Sequence, residues 1–135
     1  MNDYHTLGNI TQLTTNDPAN RMTHLEPERI YLACPYWHKD PIVREERYQL
    51  VTRKAAELML QGYQVFSPIT HSHPISAHMP NQDHDFWMKQ DYPYIQHWAD
   101  EVWVYAIDGW RESIGVGLEI NYASSLYLIV KIIKL

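Results

Sequence analysis

Four short apolar runs, Ile30 to Cys34, Tyr63 to Phe66, Glu101 to Ile107 and Leu126 to Ile133, alternate with longer segments that carry helix signals. That alternation limits the fold more than any other feature. A strand–helix–strand series leaves successive strands pointing the same way, because the crossover helix packs back on the sheet, and such crossovers are right-handed. The expected fold is therefore α/β, a doubly wound, mostly parallel sheet of four or five strands with helices on both faces, a three-layer sandwich.

The punctuation supports each element. The first strand begins on a β-branched residue and stops at Pro35. Asp40-Pro41 supplies an N-cap and a first-turn proline, Glu45 and Glu46 come early, Arg53 and Lys54 late, and Gly62 closes the helix. Ser67 to His84 holds three prolines and four histidines and reads as a long loop. A second helix is predicted from about Asp85, carrying Phe86, Trp87, Met88, Ile95 and Trp98, with Pro93 marking a break or a new first turn. Asp108-Gly109 is a turn, Ser113 caps a helix to about Ser125, and Leu126 to Ile133 reads as a strand buried on both faces. Residues 1–29 are polar and aperiodic, a flexible or partner-bound extension; residues 30–135 form one domain. The expected strand order is flavodoxin-like, and ligands in such sheets bind beyond the carboxyl ends of the strands. Pro35 to Asp40, Ser67 to His84 and Ile107 to Ser113 should then surround one crevice.

Composition excludes several classes of function. A net charge of −5 with no basic run argues against extended contact with a nucleic-acid backbone, while leaving a nucleotide-sized ligand open. The longest apolar stretch, Leu126 to Ile133, is interrupted by Lys131 and falls far short of the roughly 20 residues that span a membrane. The lone Cys34 forms no internal disulfide, and no signal peptide is visible, so a cytoplasmic protein is expected. Five tryptophans and ten tyrosines provide rings for a ligand pocket or a subunit interface.

The chemistry concentrates in Ser113-Ile-Gly-Val-Gly-Leu-Glu119. Gly115 and Glu119 are four residues apart and share a helix face, separated by roughly 6 Å along the axis. Each of Gly115 and Gly117 costs about 0.5–1 kcal/mol relative to alanine in a helix, which suggests close approach by a ligand or a neighbouring chain. This motif, continued by Ile-Asn-Tyr-Ala123, resembles the nucleophile motif of the nucleoside 2-deoxyribosyltransferase superfamily, with Glu119 at the nucleophile's position. Together with Ile30-Tyr-Leu-Ala-Cys-Pro-Tyr36 and Phe66-Ser-Pro-Ile-Thr-His-Ser-His-Pro74, the chain is more closely similar to a phage and bacterial family of unassigned function within it. The similarity runs from about Ile30 to the C-terminus.

The resemblance implies that Glu119 attacks the anomeric carbon of a (deoxy)ribosyl group, forming a covalent glycosyl-enzyme that water or a second base resolves with net retention. The carboxylate must be ionised, and the positive end of its helix should favour that form. An aspartate from the helix before the third strand assists the leaving base in the superfamily, and Asp91 is the nearest match. Asp108 is a second candidate, equally readable as the first residue of an Asp-Gly turn. Ser113 reads as N-cap and ligand contact together. Members acting on 5′-monophosphates tend to carry serine at this spacing, and Arg44, Arg47 or Arg111 could supply the counter-charge. Tyr31 and Tyr36 are candidates to pack on the sugar or base or, equally, ordinary core aromatics; Trp110 would be an exposed stacking wall. His71 and His73 are assigned to substrate contact within a histidine loop that also holds His78 and His84, with no metal and no cofactor expected.

The resulting expectation is cleavage or transfer at the N-glycosidic bond of a (deoxy)nucleoside or its 5′-monophosphate, by a homodimer or higher homo-oligomer. Two alternatives differ in class: a nucleotide- or sugar-binding sensor without turnover, and a metal-dependent hydrolase that uses the histidine loop.

Overall fold

The computed structural model describes residues 27–135, so the predicted extension lies outside the described residues except for its last three. The chain alternates β1 (Arg29–Ala33), α1 (Pro41–Leu60), β2 (Gln64–Phe66), α2 (Pro68–Ser76), α3 (His84–His97), β3 (Glu101–Tyr105), α4 (Ile114–Ser125) and β4 (Ile129–Ile133). All pairings are parallel and the order is β2-β1-β3-β4, as the alternating pattern requires. β1 and β3 lie at the centre, and the order reverses between them, which is where doubly wound sheets open a ligand crevice.

Period-two alternation divides each central strand between two cores. Ile30, Leu32, Trp103 and Tyr105 pack with Val51, Ala55 and Leu58 of α1, and Ile69 of α2 adds to that side. Tyr31, Ala33, Val102 and Val104 pack instead with Ile95 of α3 and with Val116 and Ala123 of α4. Each fully buried Ile, Leu or Val contributes about 1.5–3 kcal/mol, so both faces are needed to hold a sheet this small.

α1 begins where expected: Asp40 accepts a hydrogen bond from the Ile42 amide at 2.9 Å and Pro41 occupies the first turn. Its end is a Schellman-type closure in which Gly62, at φ 106°, lets the Tyr63 amide reach the Leu58 carbonyl at 3.2 Å.

Three expectations are corrected. Ser67 to His84 is not one long loop, because α2 occupies its first half. Ser67 accepts from the Thr70 amide, and Pro68 stands at the position where a helix tolerates proline best. Pro74 has no amide to donate, and the helix ends two residues later. Pro93 does not break α3, which continues through it to His97. Finally, β4 is not buried on both faces: it forms a sheet edge, and Ile129 and Ile132 are 58% and 43% exposed.

Candidate active site

Ser113 organises the start of α4: its hydroxyl oxygen accepts from the Val116 amide at 3.2 Å, as an N-cap should. Glu119 follows in the second turn and projects towards β1, where the Tyr31 hydroxyl donates a hydrogen bond to its Oε2. Tyr31 is fully buried, so the strand fixes the donor and the helix fixes the acceptor. Asp91, on α3, stands close enough for its charge to act on both groups. Three elements that are remote in sequence thus converge on one face of the sheet.

Burial pushes the Glu119 carboxyl up to about 8; the Tyr31 hydrogen bond lowers it and the Asp91 charge raises it further. Burial also pushes Asp91 up to about 7, and burial, then the charges of Glu119 and Asp91, hold the Tyr31 hydroxyl well above its ordinary value. The helix N-terminus does not keep Glu119 ionised. Its influence fades beyond the first turn, whereas Glu119 lies in the second and has lost most of its hydration. Two interacting carboxyls of this kind hold roughly one proton between them near neutral pH.

The other acids have different work. Asp100, at the amino end of β3, accepts from the Glu28 and Arg29 amides and from the Arg29 guanidinium, each at 2.9 Å. Glu101 accepts from the Trp103 indole at 2.8 Å and pairs with Lys131 at 3.3 Å. Both are tied into the amino edge of the sheet. Among the described residues no cationic side chain pairs with Glu119 or Asp91.

The remaining candidates do not all gather at Glu119. Asp108 is exposed on the loop after β3, where its backbone carbonyl accepts from Arg47 at 3.3 Å, and it lines an open cleft of about 370 Å³ with Trp110, Arg111 and Lys134. Trp110 is half-buried: it lines that cleft and also packs against the α3–α4 core, with the Arg111 guanidinium 4.8 Å from its ring centre. Arg44 donates to the His38 carbonyl and lies over Trp37 at 4.7 Å. The ring of His71 is 5.8 Å from that of Phe66. Tyr36 and His73 bond to each other, with Nδ1 of the imidazole 2.7 Å from the hydroxyl. Among the described residues no three His, Cys, Asp or Glu side chains form a metal-ligand group. A Cβ built on Gly117 meets no atom within 4 Å, and one on Gly115 meets only the Ser113 hydroxyl at 3.9 Å, so packing inside the described chain demands neither glycine.

Sequence reasoning named Arg47 only as a possible counter-charge and did not single out Tyr92. Arg47 donates to the Trp37 carbonyl at 2.9 Å as well as to that of Asp108, joining the loops that follow β1 and β3. Gly109 makes room for it, at φ 90° and with the guanidinium where a Cβ would stand. Tyr92 stacks on Tyr122 at 4.2 Å, linking α3 to α4 beside Glu119, which raises its proton affinity after burial does. Its position next to Asp91 was the available signal.

A family model described as "Domain of unknown function (DUF1937)" matches residues 28–134. None of the curated proteins matches the sequence. Among solved structures, a 2-deoxyribosyltransferase from the psychrotolerant bacterium Bacillus psychrosaccharolyticus is similar, with a TM-score of 0.55 and 23% identity over 78% of this chain and 72% of that one. That likeness establishes a shared fold. Among the described residues no helix is long and apolar enough to cross a membrane.

Proposed function

This chain belongs to the DUF1937 family, deoxyribosyltransferase-like in fold, and on that premise we propose that it cleaves or exchanges the N-glycosidic bond of a (deoxy)nucleoside or its 5′-monophosphate through Glu119. The observation that carries this reading is the part-buried hydrogen bond from Tyr31 to Glu119, made beside Asp91. A nucleophilic carboxylate needs an anion held in one orientation, and the leaving base needs an acid that still carries its proton near neutral pH. One proton shared by the pair supplies both when it resides on Asp91.

The first step joins a Glu119 oxygen to the anomeric carbon as the carbon–nitrogen bond breaks. The bonding electrons leave with the base, which takes the proton of Asp91. In the second step water or an acceptor base attacks the same carbon, Asp91 receives the proton of that nucleophile, and the Glu119 carboxylate departs. Two displacements give net retention. The test is chromatographic detection of free base after incubation with deoxynucleosides and their 5′-monophosphates, with and without an acceptor base, for the wild type and Glu119→Gln. Release by the wild type alone is expected; equal release by both proteins would remove Glu119 from the mechanism.

A further inference from the structure

We infer that His73 is a positioning residue: held between Glu45 and Tyr36, it fixes the Tyr36 ring as a wall of the crevice that receives the nucleoside. The inference rests on the proposed function for the identity of the ligand, while its geometry stands apart from Glu119. His73 lies on α2, Glu45 on α1 and Tyr36 just beyond the carboxyl end of β1, so one imidazole joins three segments at the ligand-binding edge of the sheet. Its Nδ1 is 2.7 Å from the Tyr36 hydroxyl, its Nε2 is 2.9 Å from Glu45 Oε1, and its ring stacks on Tyr48 at 4.2 Å.

The partners determine which way the hydrogen bonds run. Hydrogen bonds from Gln49 and His73 hold the Glu45 carboxyl below its usual range, so it is an anion and can only accept. Nε2, which faces that anion, therefore carries the imidazole hydrogen of this tautomer, which leaves Nδ1 as an acceptor. Burial keeps the Tyr36 phenol protonated, so its hydroxyl donates to Nδ1. With the hydroxyl committed to α2, Tyr36 offers a ligand the apolar body of its ring, in one fixed orientation. A free tyrosine at this place would have to be ordered by each ligand that binds, at a cost in affinity.

Four variants separate this role from simple stabilisation: Tyr36→Phe, which removes only the hydroxyl; His73→Phe, which keeps a ring against Tyr48; Glu45→Gln, which keeps an acceptor oxygen; and Glu45→Ala, which does not. Each is assayed for kcat and KM of base release, and for deoxynucleoside affinity in a Glu119→Gln background, where turnover cannot intervene. The expected result is a KM raised about three- to tenfold, on the scale of one hydrogen bond, with kcat within about twofold, for all but Glu45→Gln. Affinity should fall by the same factor, and Glu45→Gln should behave as the wild type. Base release with unchanged KM and affinity in His73→Phe would overturn the positioning role and leave Glu119 chemistry standing. Weakened binding without any base release would uphold the positioning role and remove the catalytic reading. If no deoxynucleoside binds any of the proteins, both are overturned.

Discussion

Tyr31 and Glu119 stand 88 residues apart in the chain and share one hydrogen bond, donated by a fully buried phenol to a helix carboxylate. Because that bond lowers the proton affinity of Glu119 against the effect of burial, its loss should leave the carboxyl protonated to higher pH. Tyr31→Phe keeps the ring and removes the donor. We expect kcat/KM for base release to drop by about 10- to 100-fold, the scale of one hydrogen bond to a charged group. The low-pH limb, set by Asp91 near 7, should stay, and the high-pH limb, where Glu119 loses its proton, should move upward. An unchanged high-pH limb would mean that the hydroxyl does not govern ionisation of Glu119.

Asp91 is assigned the proton for the departing base, so its removal should matter only when that proton is needed. Asp91→Asn is expected to lower kcat about 10²- to 10⁴-fold with ordinary deoxynucleosides. A purine nucleoside methylated at N7 already carries positive charge on its base, and with it the loss should nearly vanish. Equal losses on both substrates would exclude Asp91 as the acid. With Glu119 near 8 and Asp91 near 7 in the free protein, the wild-type profile of kcat/KM should be a bell whose top lies between those values.

The same two acids predict how stability varies with pH. Folded, Glu119 and Asp91 hold their protons to about 8 and about 7; unfolded, they release them near their ordinary values of about 4. Between those limits the folded state binds more protons, so their contribution falls as pH rises through that window. Glu119→Gln removes one titration and leaves Tyr31 an acceptor. Its thermal midpoint should exceed that of the wild type above pH 8, by an amount equivalent to at least about 1 kcal/mol. Parallel curves for the two proteins from pH 5 to 9 would show that Glu119 is solvated in the folded state.

Much of this was legible in the residues, and what was not has physical causes. Alternating apolar runs fixed the parallel sheet, and Asp40-Pro41, Gly62 and Ser113 marked helix ends that local chemistry decides by itself. Glu119 was singled out from its neighbours, but its proton affinity was misjudged, since burial between three elements cannot be read from a helix position. Three prolines make the histidine segment read as a loop, but Pro68 directly after the Ser67 cap stands where a helix accepts proline and so starts α2. Arg47 reads from sequence only as one of three possible counter-charges, because its role depends on two carbonyls brought together by the order of the strands. Trp110 reads as an exposed stacking wall, and it does line a cleft, but the turn after β3 also folds it against the core and half-buries it.

Asp100 offers a control for the site, being an acid at the amino edge of the sheet with a structural task. Burial would raise its proton affinity, but the Arg29 guanidinium and the Glu28 and Arg29 amides outweigh that and hold it below the usual carboxylate range. Its contribution is therefore present above the unfolded value of about 4 and lost as pH falls below it. Asp100→Ala should destabilise the protein by about 1–3 kcal/mol at pH 7. The pH dependence of base release should stay as in the wild type, and a shifted profile would show that Asp100 communicates with Glu119.

The two helices that end in Schellman-type closures make a further test, because one uses glycine and the other does not. At the end of α1, Gly62 takes the left-handed conformation; at the end of α4, Tyr127 takes it, at φ 62°. The Tyr127 amide reaches the Ser124 carbonyl and the Leu128 amide that of Ala123, each at 3.0 Å, so the closure is formed despite the Cβ. A non-glycine residue in this conformation costs about 1–2 kcal/mol, partly offset on substitution by the greater freedom of glycine in the unfolded chain. The Tyr127 side chain is 95% exposed and gives little packing in return. Tyr127→Gly is therefore expected to stabilise the protein by about 0.5–1 kcal/mol in urea unfolding, with the slope of the transition unchanged. A lower midpoint would show that the tyrosine ring makes contacts in solution that outweigh the strain in its backbone.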